Sequence, residues 1–225
     1  MPGIADNALV KAAPLITALG EYVPEQQLTP EVEALLEAVT GKRPASPQDA
    51  LEQARAIGKF FAEMVEPLLS LTLSPTMIGA SRKRNVIPAL CDVTVDSRLP
   101  PEATIDEQQA IVRKVLGEGD YELKSLEAHG GTRSPIDTPL WDAVAGWIKE
   151  VEPEAKPAPI CVAGFTDSHW FREAFWTVAY GFFPLRVMDA ELAARLIHSA
   201  DERIPVDDLE LAVSFMRYAA KSMLA

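Results

Sequence analysis

The stretch from Leu71 to Pro101 reads LTLSPTMIGASRKRNVIPALCDVTVDSRLPP, and it decides the fold class of the region around it. β-branched residues recur on both sides of a basic turn, Arg82-Lys83-Arg84, which is typical of two antiparallel strands. We predict one strand after Leu71 and a second over 86–95, closed by Pro100-Pro101. The three adjacent cations are interpreted as a solvated turn and not as a binding patch.

Helical patterns lie on both sides of this hairpin. Residues 104–116 follow the helical period after a Thr-Ile-Asp-Glu start that resembles a capping box. Before the hairpin, we predict helices over 6–22 with a kink at Pro14, over 29–41, and from Ser46 to about Leu69. With a further short strand from Tyr121, these patterns predict a small layered α+β domain that ends near Thr132.

The remaining residues, 133–225, have the pattern of an α/β segment. Helices are predicted over 137–151 and 206–224, and short apolar strands over 160–163 and 176–180. The polar turn Thr166-Asp167-Ser168 follows the first of these strands.

Composition excludes some function classes. A formal net charge of −12 over 225 residues argues against a nucleic-acid partner, because such proteins concentrate Lys and Arg. The sequence has no apolar stretch long enough for a membrane span and only two cysteines, Cys91 and Cys161, which lie in apolar runs. We therefore expect free thiols, no membrane partner and a cytoplasmic location.

The histidines form no recognisable metal motif. His129, His169 and His198 have neither a His-Glu-x-x-His spacing nor paired cysteines beside them. His198 lies just before a predicted helix, where a loop can hold an imidazole toward a metal while Asp201 and Glu202 cap the helix or fix the second ring nitrogen. The alternative is a polar loop whose acids only cap the helix, and the residues alone favour it.

Several segments resemble one zinc-dependent family, which contains acetylornithine deacetylase, succinyl-diaminopimelate desuccinylase, aminoacylase and carboxypeptidase G. The matching segments are Asp6-Asn7-Ala8-Leu9, Asn85-Val86-Ile87-Pro88, Asp96-Ser97-Arg98-Leu99-Pro100, Thr166-Asp167-Ser168, Tyr180-Gly181-Phe182 and 198–204. The resemblance implies an α/β protein. Residues 1–132 are similar to a ferredoxin-like, two-layer α+β lid or dimerisation domain that lacks its first strand and has a helical insertion. Residues 133–225 are similar to the C-terminal part of an α/β catalytic domain.

The resemblance also implies roles for individual residues. His198 is similar to the terminal zinc ligand of a two-metal site. Asn85 and Arg98 match lid positions that contact substrate or stabilise a developing oxyanion, although an exposed or ion-paired strand end is an equal alternative. Thr166 and Asp167 match a loop that lines the active site, and the guanidinium of Arg172 could pair with a substrate carboxylate. His129 and His169 are interpreted as structural.

The implied reaction is zinc-dependent hydrolysis of a peptide or N-acyl amino acid, with a homodimer formed through the lid. The family's His-x-Asp, bridging Asp and Glu-Glu motifs, which supply most metal ligands and the general base, do not occur in this sequence. We therefore expect this chain alone to be inactive and to bind zinc poorly. The alternative is a non-catalytic dimerisation or interaction module.

Overall fold

The structure is a computed structural model, and it describes residues 6–101 and 103–224. The predicted region limits at residues 1 and 225 lie outside the described residues. Within them the chain combines a two-stranded sheet with several helices, which confirms the mixed α/β class. The division near Thr132 stays a prediction.

The N-terminal half begins with α1 (Ala8–Gly20). It continues through α2 (Pro30–Thr40), α3 (Pro47–Ile57), α4 (Lys59–Val65) and a 3₁₀ turn at Glu66–Leu68. The strands β1 (Thr72–Gly79) and β2 (Asp92–Arg98) follow, and then α5 (Ile105–Leu116). In the C-terminal half lie α6 (Pro139–Val151), α7 (Ser168–Phe175), α8 (Ala190–Leu196) and α9 (Val206–Leu224).

Local capping explains where several helices begin and end. The Thr29 hydroxyl accepts from the N–H of Val32 at 3.3 Å, and Gly41 ends α2 in the left-handed conformation (φ 75°) that glycine adopts most readily. The predicted capping box of α5 is confirmed, since Thr104 and Glu107 bond reciprocally through side chain and backbone. The span predicted for α9 is also confirmed.

The hairpin is antiparallel as predicted, with Thr72 paired to Arg98 and Gly79 to Asp92. The predicted start of the second strand at Val86 is wrong, because β2 begins at Asp92. Pro88 has no N–H to donate to a ladder, and its carbonyl accepts from the N–H of Ala8 at 3.1 Å instead. That bond anchors the start of α1, which also contacts β1 and α5.

Other predicted elements need correction. The single helix predicted from Ser46 to Leu69 is interrupted at Gly58, whose backbone is extended (φ 160°, ψ 163°). The segments predicted as strands at Tyr121, 160–163 and 176–180 are irregular. A strand requires a partner to complete its backbone hydrogen bonds, and the described residues give these segments no such ladder.

Two separate cores support these elements. The first lies inside the helical insertion formed by α2, α3 and α4, and it contains the almost fully buried Val32, Leu36, Val65 and Leu69. The second joins α6 to α9 through the edge-to-face pair Trp147 and Phe215, whose ring centroids lie 5.3 Å apart. No helix in the described ranges is both long and apolar enough to cross a membrane.

Candidate functional site

Arg172 is the best-anchored of the predicted site residues. It lies on α7, where its Nε donates to the Thr132 hydroxyl at 3.1 Å and a terminal nitrogen donates to the carbonyl of Ala179 at 2.8 Å. Burial lowers the pKa of the guanidinium from its ordinary value, and the Cys161 thiol opposes that shift. The side chain is therefore held in place as a fixed cation between two segments of the C-terminal half.

Thr132 connects Arg172 to His169. Its hydroxyl oxygen lies 3.3 Å from Nδ1 of His169, which is only 7% exposed. The Arg172 Nε donates to the same oxygen, so one hydroxyl contacts both the guanidinium and the imidazole.

Four rings cluster next to this connection. His169, His129, Phe165 and Trp170 contact one another with ring centroids 4.7–5.7 Å apart, several of them edge to face. Three of these rings, those of His129, His169 and Trp170, border an open cavity of about 400 Å³ together with Glu173 and the N-terminal end of α5. Gly131 also lines it, and a Cβ there would lie 2.2 Å from the carbonyl oxygen of Pro100, so the loop needs glycine.

Side chains fasten the segment after Thr132 to residues 179 and 180. The Ser134 hydroxyl accepts from the N–H of Ala179 at 3.0 Å and lies 3.2 Å from the carbonyl oxygen of the same residue. The Tyr180 hydroxyl lies 2.5 Å from both the Thr138 hydroxyl and the carbonyl oxygen of Pro135. These bonds hold residues 179 and 180 in place without the strand ladder that the sequence predicts.

The helical insertion contacts the C-terminal half in two ways, through an ion pair and through the packing of a cysteine side chain. Glu31 of α2 pairs with Arg133 at 3.0 Å, and Cys161 packs against the core of the insertion. Two effects raise the pKa of the Cys161 thiol to about 11. Burial is the larger cause, and the negative charge of Glu31 is the second. At neutral pH the thiol is therefore protonated and unsuited to nucleophilic attack.

Thr166 and Asp167 lie at the start of α7, close in sequence to Arg172. The carbonyl of Thr166 accepts from the N–H of His169 at 3.0 Å, and that of Asp167 from the N–H of Trp170 at 3.0 Å. Both residues are exposed, and the Asp167 carboxylate makes no capping bond. Their backbones start the helix, while their side chains remain available to a ligand.

Asn85 and Arg98 lie on the hairpin, apart from this cluster. Asn85 is exposed in the turn before β2, and Arg98 is exposed at the end of β2, where its Nε donates to Asp96 at 2.8 Å. In the described part of the chain, no hydrogen bond or ion pair joins either residue to Thr166, Asp167 or Arg172. The structure thus separates the two hairpin residues from Thr166, Asp167 and Arg172.

His198 lies in the loop between α8 and α9 with its side chain exposed. Its backbone is left-handed (φ 63°), and its N–H donates to the Glu202 carboxylate at 3.2 Å. The prediction that Asp201 or Glu202 caps α9 is wrong, because Glu202 bonds back to His198 and α9 begins only at Val206. Among residues 6–101 and 103–224, no three His, Cys, Asp or Glu side chains come together as a metal site.

Comparison with known proteins identifies the N-terminal half. The sequence model described as the M20 peptidase dimerisation domain matches residues 1–124. The chain belongs to this family. The resemblance seen in the sequence is confirmed for the dimerisation region, which contains the hairpin, the helical insertion and both hairpin residues, Asn85 and Arg98.

The curated relatives are all much longer than the matched part of this chain. The human N-fatty-acyl-amino acid synthase/hydrolase PM20D1 is 26% identical over 160 residues, which are 68% of this chain and 31% of the relative. The Xenopus tropicalis protein of the same name is 32% identical over 150 residues, 66% of this chain and 29% of that protein. The chain thus spans about a third of their length, and no solved structure matches it.

Some site residues were not predicted from the sequence. The sequence alone marks Thr132 only as the end of the dimerisation domain and predicts a structural role for His169, yet the two connect Arg172 to the ring cluster. The sequence signal is His169-Trp170, two adjacent ring side chains directly after the polar turn Thr166-Asp167-Ser168. Their partners His129 and Thr132 are distant in sequence, so the pattern alone could not join them.

Proposed function

We propose that this chain is the dimerisation region and C-terminal segment of a zinc-dependent hydrolase that cleaves the amide bond of a peptide or an N-acyl amino acid. The observation that carries the proposal is the backbone of His198. A left-handed conformation in a residue other than glycine costs roughly 1 kcal/mol, and such strained residues concentrate at functional sites. Here it presents an imidazole to solvent in the motif similar to the family's metal ligand.

The family match and the named activity of the relatives support the hydrolase class. The residues present do not by themselves make a zinc site, since the described chain holds no cluster of three ligands. His198 would supply one ligand, and the others would come from a polypeptide outside this sequence. In that complete site, Arg172 and the exposed side chains of Thr166 and Asp167 would hold the carboxylate or acyl end of the substrate.

The test compares the isolated chain with a chimera. In the chimera, this chain replaces the matching segment of the human relative, and hydrolysis of N-oleoyl-phenylalanine is measured with zinc content. We expect the isolated chain to retain no stoichiometric zinc and to hydrolyse nothing. The chimera should be active, and its His198→Ala variant should lose both zinc and activity. Hydrolysis by the pure, zinc-loaded chain alone, or an active His198→Ala chimera, would contradict the proposal.

A non-catalytic dimerisation module is the second candidate, and the hairpin favours it. The sheet of the described residues has two strands, so β1 has a free edge, and Met77 and Ile78 on it are exposed. Such an edge can pair with a second copy of the chain. This candidate predicts a stable homodimer by light scattering, weakened by Met77→Lys, with no effect of His198→Ala on any activity of the chimera.

A further inference from the structure

We infer that α9 carries a self-association surface of its own, through which it packs antiparallel against α9 of another copy of the chain. The surface is an apolar stripe of α9 that α6 leaves uncovered, and it lines a groove of about 440 Å³. It lies on a different element from the β1 edge. The inference depends on neither a metal nor the proposed hydrolysis.

The apolar residues of this stripe have the spacing of a coiled-coil seam. They recur alternately after three and four residues, and those with large side chains are 46–69% exposed: Val206, Leu209, Val213, Met216 and Met223. Ala220 completes the pattern and lines the groove. Such a repeat keeps one stripe of a helix facing a partner helix, whose side chains interdigitate with it. In the monomer, α6 packs on the neighbouring face of α9, which contains Phe215 and Ala219.

The helix is already ordered before it meets a partner. An isolated pair of helices of this length is marginal in water, because nucleating each helix is unfavourable. Here α9 packs on α6 through Phe215 and Trp147, and the Asp208 carboxylate near its start accepts from three backbone N–H groups at 2.8–2.9 Å. Each copy therefore presents the stripe as a preformed surface.

The charges beside the stripe complement a second α9 in the antiparallel orientation. Glu210 and Arg217 are exposed, flank the stripe on the same side, and make no ion pair with any residue that the structure describes. They directly follow the seam positions Leu209 and Met216. In an antiparallel pair, residues at this heptad position face each other across the seam. Each Glu210 then meets Arg217 of the other copy.

A second pair of opposite charges has the same midpoint. Asp207 and Lys221 lie seven residues to either side of position 214, and both are exposed and unpaired among the described residues. The pattern is therefore self-complementary, as a two-fold contact between identical chains requires. A parallel pair would instead place Arg217 opposite Ala212, which has no charge. Exposed ion pairs add little affinity, but they set the orientation of a contact.

Sedimentation velocity over a series of protein concentrations tests this inference. The parent chain carries Met77→Lys, which weakens pairing through the β1 edge, so that any remaining association comes from another surface. We expect reversible dimerisation that Met216→Glu abolishes, because this change places a charge at the centre of the apolar stripe. A parent chain that stays monomeric at every concentration would assign the groove to a different polypeptide and overturn the inference.

Charge reversal then tests the orientation. Glu210→Arg and Arg217→Glu should each weaken the dimer by about tenfold, because like charges then meet at two symmetric positions. An equimolar mixture of the two variants should dimerise like the parent, because every such contact between them joins opposite charges. Glu150→Arg, at an exposed glutamate of α6 that does not line the groove, is the matched control and should change nothing. A dimer that ignores both reversals, or a mixture that does not recover, would also overturn the inference.

Discussion

The helical insertion and the C-terminal half bury their apolar residues in different ways. In the insertion, Leu36 and Leu69 are almost completely enclosed by α2, α3 and α4. In the C-terminal half, α9 buries Phe215 against α6 but leaves Leu209, Val213 and Met216 along an apolar groove of about 440 Å³. The insertion therefore encloses its own core, whereas α9 buries apolar side chains only on the face that packs against α6.

This difference indicates what each region needs in order to be stable. The closed core of aliphatic side chains stabilises the insertion from within, since each fully buried leucine contributes about 2 kcal/mol. The C-terminal half keeps large aromatic residues in solvent, including Trp176, which is 92% exposed. Exposed apolar area of this kind marks a surface that other proteins cover.

The largest expected effect comes from opening the closed core. Leu36→Ala should lower the free energy of unfolding by about 2–5 kcal/mol, because it removes a completely buried side chain and leaves a cavity. Leu209→Ala makes the same chemical change in the exposed groove and should alter the free energy of unfolding by less than about 0.5 kcal/mol. Urea denaturation followed by circular dichroism measures both, and equal effects would show that the two regions do not differ as described.

A smaller effect is expected from Asp208, the buried acid that holds the C-terminal half together. Its carboxylate accepts from the N–H groups of Arg186, Val187 and Met188 at 2.8–2.9 Å, fastening the loop before α8 to α9. Asp208→Asn should lower the urea midpoint, but less than Leu36→Ala does, because the amide can still accept through one oxygen. Asp207→Asn, at the exposed neighbouring acid, is the matched control and should leave the midpoint unchanged.

The same carboxylate gives the stability a pH dependence of known sign. Burial raises the pKa of Asp208, but the three backbone N–H donors together outweigh it and hold the pKa below its ordinary value. A depressed folded-state pKa stabilises the protein above the unfolded-state pKa of about 3.9, and that contribution disappears as the pH falls through the folded value. Denaturation midpoints between pH 5 and about pH 3 should fall more steeply in the wild type than in Asp208→Asn.

Much of this fold could be predicted because its signals are local. The Thr104 capping box, the Thr29 cap with Gly41 at the other end, and the full span of α9 all depend on residues within one helix. The strands expected over 160–163 and 176–180 failed because a strand is defined by its partner. Their apolar composition was real, yet residues 179 and 180 are held by Ser134, Pro135 and Thr138 instead.

The candidate site likewise contains residues that the sequence predicts and contacts that it does not. Arg172 was predicted from the chemistry of its guanidinium, and its anchoring shows that it is fixed in position, although its proposed role stays a prediction. The connection from Thr132 to His169 spans 37 residues of sequence, and no periodicity or motif links the two. His198 was predicted by resemblance, but its left-handed backbone depends on φ and ψ, which the sequence does not reveal.

The smallest expected effect tests where the two regions meet, at Cys161. In a Cys91→Ser background, the single thiol should react with iodoacetamide far more slowly than a free thiol, because its pKa of about 11 leaves roughly one thiolate in a thousand at pH 8. Glu31→Gln removes the nearby negative charge and should speed the reaction modestly, since burial, the larger cause, remains. Glu154→Gln, at an exposed glutamate, should not change the rate. Labelling of Cys161 at the rate of a free thiol would show that the C-terminal half does not pack against the insertion in solution.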